Sequence, residues 1–348
     1  MLAPFTRNPV VRIPLVVASP LLLLALGCGD GGSSQTTAAA NPTAGVASPT
    51  TPSATTEPAS TPDDSKIVSY SDGESAFQAG HYDDAAHLFG AYTERKPDNP
   101  WGFYMLGLAS WKSGNLAQAD VAFDEALKLD PKHQKSLLNS SRVLIELGRN
   151  DEALQRVNAS LALDSTSNEA WRMLGRTQTE LGKTDEAIDA FRRAIALDDH
   201  DVWAMNNLAL IYIRQGCPNE ALPALARATQ IKPGAPVFQN NLGQALEASG
   251  HPAAAEQAYQ AALKADSSYQ KAALALARVA ARGEDSTEAT VDLVALAREF
   301  QVGVEQWRDA LARQDEVGKA EETAGVAVPD SMARDSTPEV VSRPESDH

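Results

Sequence analysis

The chain has 348 residues, of which 43% are hydrophobic and 22% are charged, and its 46 acidic residues against 30 basic ones give a formal net charge of −16. This length allows two ordinary domains or one elongated array, and an acidic surface that repels phosphates argues against nucleic acid as a partner. The two cysteines, Cys28 and Cys217, are too few for a disulfide framework or a four-ligand zinc site.

Residues 1–27 have the pattern of an export signal. Arg7 and Arg12 lead into an apolar stretch over residues 13–26, which is too short to cross a bilayer as a stable helix. The stretch ends in Leu-Ala-Leu-Gly-Cys at residues 24–28, which resembles the bacterial lipobox, a motif cut before a cysteine that receives lipids. The resemblance implies an exported lipoprotein anchored through Cys28, and Gly29 favours the outer membrane facing the periplasm in a two-membrane bacterium. The alternative is a plain secretory signal with an incidental cysteine.

Residues 28–65 are predicted to be the lipidated cysteine followed by a linker. They consist mostly of Ser, Thr, Ala, Gly and Pro, with prolines spread from position 42 to position 62. Such a segment cannot bury enough apolar surface to offset the entropy lost on ordering. We therefore expect a disordered tether between the membrane and the rest of the chain.

Residues 66–269 repeat one pattern every 34 residues. In each unit a glycine allows the chain to turn at positive φ between two amphipathic helices, which predicts a helical hairpin. The predicted units are 66–99, 100–133, 134–167, 168–201, 202–235 and 236–269. The series that carry the period are Gly80, Gly114, Gly148, Gly182, Gly216 and Gly250; Ala85, Ala119, Ala153, Ala187, Ala221 and Ala255; and Phe89, Phe123, Val157, Phe191, Leu225 and Tyr259.

This pattern resembles the tetratricopeptide repeat (TPR) family. Residues 100–133 match the family through Leu106, Gly107, Ala119, Phe123, Ala126 and Pro131, and residues 168–201 match through Trp171, Leu174, Gly175, Ala187, Phe191 and Ala194. The resemblance implies an all-α fold, a right-handed superhelical solenoid of helical hairpins, flanked by a disordered N-terminal linker and C-terminal tail. Two departures from the family pattern, Asp72 in the first unit and Ser140-Ser141 in the third, concern local packing.

The period ends near residue 270. We expect a capping helix at 271–282 and two further helices at 287–300 and 304–313, so that residues 270–315 form capping and additional helices. From 316 to 348 the chain is polar and acidic, which predicts a disordered tail.

No catalytic motif is found in the sequence. A phosphate-binding glycine loop, a His-Glu-x-x-His pair, a Gly-x-Ser-x-Gly elbow and a Cys-x-x-Cys pair are all missing. We therefore expect no enzyme activity, no catalytic residue, no metal site and no cofactor. The cluster Asp198-Asp199-His200-Asp201 resembles a set of metal ligands, but it lies at a repeat junction where acidic helix caps are common.

The TPR resemblance implies that the first helix of each hairpin lines a concave surface that binds an extended peptide or a helix. Asparagines that recur at one position of the unit can donate and accept hydrogen bonds to a peptide backbone, and basic residues there favour an acidic or carboxylate-bearing partner segment. Local hydrogen bonds for the asparagines, and ion pairs with the adjacent unit for the arginines, are the alternative. The candidate groove residues are Asn139, Asn207, Asn241, Arg142, Arg172, Arg176, Trp101, Tyr104, Trp203, Asn206 and Asn240.

The sequence thus predicts a membrane-anchored scaffold or assembly protein that binds a partner protein or peptide in the cell envelope, for example in pilus or secretion machinery. Two alternatives stay open. One is a peptidoglycan- or glycan-binding envelope protein that uses Trp101, Tyr104 and Trp111, and the other is a metal-dependent enzyme or its accessory domain.

Overall fold

A computed structural model describes residues 69–281 and 290–325 of the chain. The predicted signal, Cys28, the linker 28–65 and the tail beyond residue 325 lie outside these ranges. Within them the chain forms fourteen α-helices and no strand. The helices are α1 (Tyr70–Gln78), α2 (Tyr82–Arg95), α3 (Pro100–Lys112), α4 (Leu116–Leu129), α5 (Gln134–Glu146), α6 (Asn150–Leu163), α7 (Asn168–Glu180), α8 (Thr184–Leu197), α9 (Val202–Arg214), α10 (Pro218–Ile231), α11 (Pro236–Ala248), α12 (Pro252–Ala265), α13 (Gln270–Ala280) and α14 (Leu293–Gly325).

Helices α1 to α12 form six hairpins, each joined by one of the periodic glycines. These glycines have φ values between 72° and 87°, a left-handed conformation in which a side chain would be strained. Polar residues such as Asn99, Ser167 and Asp201 begin the first helices by accepting a hydrogen bond from a backbone amide of the first turn. The hairpins confirm the predicted all-α fold class and the solenoid.

The first helices of successive hairpins contact one another: α3 meets α5, α5 meets α7, α7 meets α9 and α9 meets α11. Among the described residues, successive second helices make no comparable contacts. Hairpins stacked in this way curve toward the side on which neighbouring helices are closer. The odd-numbered helices α3 to α11 therefore line the concave surface, which we call the groove, and the even-numbered helices form the convex surface.

Inside each hairpin a small residue of the first helix faces a large one of the second. A Cβ placed on Gly175 would lie 2.7 Å from the Phe191 ring, so only glycine lets the two helices approach around that ring. The other hairpins follow the same rule of size. Glycine faces an aromatic ring in the pairs Gly73/Phe89, Gly107/Phe123 and Gly243/Tyr259. Where the large residue is aliphatic, a slightly larger residue replaces the glycine, as in the pairs Ser141/Val157 and Ala209/Leu225. Ser141 therefore accompanies a smaller partner.

Asp72 has a capping role in the first unit. It is the third residue of α1, and its carboxylate accepts hydrogen bonds from the Ser69 amide (2.8 Å) and hydroxyl (2.9 Å), while the Ser69 hydroxyl accepts from the Asp72 amide (3.2 Å). This reciprocal capping box starts α1 at Tyr70. The departure from the family pattern at Asp72 is thus explained by a first helix of only 9 residues.

The expectation of two helices at 287–300 and 304–313 was wrong. A single helix, α14, has 33 residues, includes Gly303, and continues to Gly325, past the predicted end of the helical part at 315. Glycine costs about 1 kcal/mol in a helix, and burial of the nearby residues Phe300 and Val304 in the apolar core formed by α8 to α13 offsets that cost. None of the described helices is both long enough and apolar enough to span a bilayer.

Candidate functional site

The N-terminal end of the groove is an aromatic cluster around Trp101. This indole is 46% exposed, and it packs edge-on against Tyr104 and His133 with ring centres 5.7 and 4.5 Å apart. The Lys135 ammonium lies 5.4 Å from its ring centre. Tyr104 is buried, which raises the pKa of its phenol, and its hydroxyl accepts a hydrogen bond of 3.5 Å from the Asn139 amide. Of the two predicted aromatic residues in this cluster, Trp101 presents a surface to a ligand and Tyr104 does not.

Trp111 already contacts charged residues of its own chain. Lys112 and Arg142 lie 4.5 and 5.2 Å from its ring centre, and its N–H donates to both carboxylate oxygens of Glu146 at 3.1 Å. A sugar ring binds tryptophan by stacking on an open face. Because cations occupy this ring and its N–H is used, Trp111 does not favour the glycan-binding alternative.

Two of the three predicted groove arginines are neutralised by acids at the start of the next hairpin's first helix. Arg142 donates to the Asn139 side-chain oxygen at 2.6 Å and to Glu169 at 3.3 Å. Arg172 forms an ion pair of 2.6 Å with Asp201, whose carboxylate is 1% exposed. For these two residues the structure shows the ion-paired alternative.

Arg176 differs from both. It is half-buried, and nowhere in the two described ranges does it form a hydrogen bond or an ion pair. Burial, and then the nearby Arg142 cation, lower the pKa of its guanidinium, although Glu146 and Glu180 act in the opposite direction. A guanidinium stays charged in proteins, so this group is a half-buried cation to which the described residues offer no hydrogen bond or ion pair.

A pocket of about 280 Å³ opens beside Arg176, between the first helices of two neighbouring hairpins. The Asn207 side chain lies in it and has no hydrogen-bond partner among the described residues. One wall is apolar and the Arg214 guanidinium lies in the lining. The full lining is Arg176, Thr179, Glu180, Phe191, Asn207, Leu210, Ile213, Arg214 and Gln244.

Three further predicted asparagines, Asn206, Asn240 and Asn241, are engaged with each other, whereas Asn139 bonds to Tyr104 and Arg142. The Asn241 amide donates to the Asn206 side-chain oxygen across the hairpin boundary at 2.7 Å, and Asn240 donates to the Asn241 side-chain oxygen at 3.2 Å. All three are at most 8% exposed. The unit between Asn139 and Asn207 has buried Met173 at the same position, so the row of amides is interrupted there.

Trp203 is 49% exposed and packs edge-on against Phe238, with ring centres 5.0 Å apart. It belongs to the hairpin that lines the pocket, although it is not among the lining residues. Of the pocket lining, the sequence analysis named only Arg176 and Asn207 as candidate site residues, and Thr179, Ile213 and Phe191 are among those it did not name. Thr179 could have been found from spacing, because it lies three residues, less than one helical turn, after the predicted groove residue Arg176 of the same helix.

The acidic cluster at residues 198–201 has structural roles. Asp201 caps α9 through the Ala204 amide at 3.0 Å and pairs with Arg172. Asp199 pairs with Arg308 of α14 at 3.0 Å. Ligand atoms of Asp198, Asp199 and His200 lie within 4.8 Å of one another. Since the carboxylates have protein partners, the cluster acts as a cap and an ion-pair network.

Family models described as tetratricopeptide repeat match residues 70–134, 172–236 and 240–301, and a second such model matches residues 110–176. A crystal structure of MamA is 26% identical and covers 56% of this chain and 98% of its own, with a TM-score of 0.41. The TPR protein TTC0263 of Thermus thermophilus is 18% identical, covering 53% and 100%, with a TM-score of 0.47. The Cut9–Hcn1 hetero-tetramer of APC/C is 16% identical, covering 60% and 42%, with a TM-score of 0.53, and is similar in fold. No curated protein matches the chain.

Proposed function

The chain belongs to the tetratricopeptide repeat family, and we propose that it is a membrane-anchored scaffold of the cell envelope whose groove binds a carboxylate-bearing segment of a partner protein. Repeat proteins of this family generally serve as non-catalytic scaffolds for protein interaction. The proposal adds two features to this general role, a preference for a carboxylate-bearing partner and a membrane anchor.

The observation that carries the carboxylate preference is the Arg176 cation beside the Asn207 amide, both without a hydrogen-bond or ion-pair partner among the described residues. A carboxylate can accept two parallel hydrogen bonds from a guanidinium, and this pair is among the stronger polar interactions in proteins. The Asn207 side chain can donate to the same group or to the adjoining backbone. A ligand would therefore replace the hydration that Arg176 loses on folding.

The rest of the pocket limits the shape of the ligand. Leu210, Ile213 and Phe191 offer an apolar wall, and Arg214 adds a second cation to the lining. The volume of about 280 Å³ suits one or two residues of an extended segment. Both a C-terminal carboxylate and an Asp or Glu side chain have the required chemistry.

This proposal is tested by titrating short labelled peptides with the full chain and following their fluorescence anisotropy. Each peptide is offered with a free or an amidated C-terminus, and with Glu or Gln inside the segment. We expect carboxylate-dependent binding, and about tenfold or greater weakening in Arg176→Ala, because hydrogen bonds to charged groups contribute roughly 1.5–3 kcal/mol.

The matched control is Arg156→Ala, which removes an arginine that pairs with Asp124 at 2.6 Å on the convex surface. It should leave peptide affinity unchanged. Comparing free with amidated C-termini, and Glu with Gln, distinguishes recognition of a terminal carboxylate from recognition of a side-chain carboxylate. Equal affinity of Arg176→Ala and the unaltered chain for every peptide would refute the proposed pocket.

For the anchor, the support is the basic start, the short apolar stretch and the cysteine at residues 1–28. Two or more acyl chains on one cysteine hold a protein stably at a membrane. Cells that express the chain, grown with a palmitate analogue, should label it, and Cys28→Ser should lose the label and leave the membrane fraction. Arg156→Ala, on the convex surface, is the control and should keep both. An unlabelled parent chain would contradict the anchor without affecting the groove proposal.

A further inference from the structure

The last described helix, α14, packs on the convex surface directly behind the pocket. It contacts α8 and α10, the second helices of the hairpins whose first helices, α7 and α9, supply most of the pocket lining. Phe300 and Val304 of α14 are buried in the same apolar core as Ile188 of α8 and Leu222 of α10. The helix therefore joins the backs of two neighbouring hairpins.

Arg308 attaches α14 to the end of α8. Its Nε donates to the Ala196 carbonyl oxygen at 2.8 Å, and its guanidinium pairs with Asp199 at 3.0 Å. The hydrogen bond to Ala196 joins residues that lie 112 positions apart in the chain. The attachment belongs to tertiary structure and lies outside the 34-residue repeat.

A second set of contacts leads from α14 to the pocket itself. Trp307 of α14 lies 5.4 Å from the guanidinium carbon of Arg192 in α8, measured to the ring centre. Arg192 in turn donates to the Tyr212 hydroxyl of α9 at 3.0 Å. Phe191 and Ile213, the chain neighbours of Arg192 and Tyr212, both line the pocket. Three side chains thus connect the convex helix with the parts of α8 and α9 that carry these two pocket residues.

We infer that α14 is a brace that sets the separation of hairpins α7–α8 and α9–α10, and that Trp307, Arg192 and Tyr212 are positioning residues for the pocket. The effect on ligand binding rests on the proposed function. The claim that α14 fixes the separation of the two hairpins does not depend on it. A ligand held between two hairpins requires a defined distance between them, and a brace on the opposite face restricts the hinge motion that would change it.

The brace is tested on the full chain with Trp307→Ala and with Trp307→Phe, which keeps an aromatic face toward Arg192. Amide hydrogen exchange of α9, without any ligand, reports the structural half. Affinity for the tightest free-carboxylate peptide found in the titrations reports the functional half. We expect Trp307→Ala to speed amide exchange in α9 and to lower the affinity for the peptide by about 3- to 30-fold, while the helix content stays the same. Trp307→Phe should resemble the parent chain in both exchange and affinity.

Arg308→Ala should also loosen α14 from α8, because it removes the attachment at Ala196 and Asp199 and leaves Trp307 in place. Arg156→Ala is the control, since Arg156 makes a convex ion pair that α14 does not touch. If α9 exchanges at the parent rate in both Trp307→Ala and Arg308→Ala, the brace is refuted, whatever the peptides do. If exchange rises but no peptide binds even the parent chain, the brace stands and the proposed function fails.

Discussion

Two neighbouring pairs of hairpins, α3 to α6 and α7 to α10, share one repeat but differ on both surfaces. On the convex side, α4 and α6 are joined by ion pairs, among them Arg156 with Asp124, whereas α8 and α10 are covered by α14. In the groove, Arg142 of the first pair has polar partners, whereas Arg176 of the second pair has none among the described residues.

The difference shows that the unpaired cation lies in the part of the solenoid that is held on its reverse side. A half-buried charge without a partner is costly, and a hinge that relaxes would let it reach water or a neighbouring acid. A braced pair of hairpins keeps the charge in place for a ligand and so reduces the ordering cost of binding. The repeat gives every unit equivalent groove positions. The added helix α14 packs against two hairpins, α7–α8 and α9–α10, and so makes them different from the others.

The sharpest test of this comparison contrasts two arginines of the same helix. Arg172→Ala leaves the Asp201 carboxylate buried, and although Asn168 and the Ala204 amide still donate to it, we expect a loss of roughly 3 kcal/mol in the free energy of unfolding. Arg176→Ala removes no hydrogen bond and should change stability by less than about 1 kcal/mol. Urea unfolding followed by circular dichroism measures both. Similar losses in the two variants would contradict the assignment of Arg176 as unpaired.

The second test exchanges the packing of the third hairpin for that of the fourth. Val157→Phe places a ring opposite Ser141, where Gly175 faces the ring in the next hairpin, and overpacking should cost about 1–3 kcal/mol. Adding Ser141→Gly should recover most of that loss, because the ring then has the space that Phe191 has. Thermal unfolding of the single and double variants gives the coupling. If the two effects simply add, the size rule between these positions is wrong.

The smallest effect concerns the helix caps of the two pairs, His133 and Asp201. His133 is buried, and its Nδ1 accepts a hydrogen bond of 3.2 Å from the Ser136 amide, so the ring caps α5 while that nitrogen is unprotonated. Burial, together with Lys135, lowers its pKa, although Asp130 acts in the opposite direction.

The unfolded chain therefore binds this proton at higher pH than the folded protein does. Stability contributed by His133 is complete above its ordinary pKa of 6.5 and is lost as the pH falls below it. His133→Asn keeps a capping side chain of the kind found at the equivalent Asn99 and removes the titration. The parent chain should lose more stability than this variant between about pH 7.5 and 5.5, and parallel curves would exclude a role for His133.

Much of the fold follows from local features of the sequence. The glycines that turn at positive φ, the capping residues and the spacing of small and large residues each act within one hairpin, so the period alone predicts helices and their partners. Ser140-Ser141 was harder to interpret, because a residue larger than glycine fits at position 141 only since the smaller Val157 stands opposite. The sequence analysis placed Arg142, Arg172 and Arg176 together in the groove, but the period could not tell which arginine would find an acid.

The 34-residue period and the turn chemistry predict paired α-helices and their turns, because both depend on residues close in the chain, and the resemblance to the TPR family adds the solenoid and the helices that face the groove. Tertiary structure alone decided that α14 is one helix and that it packs behind α7 to α10. It also decided that Arg176 is left without a partner among the described residues while Arg172 pairs with Asp201. Those outcomes depend on burial and distance between residues far apart in the chain, where long flexible side chains choose among several possible partners.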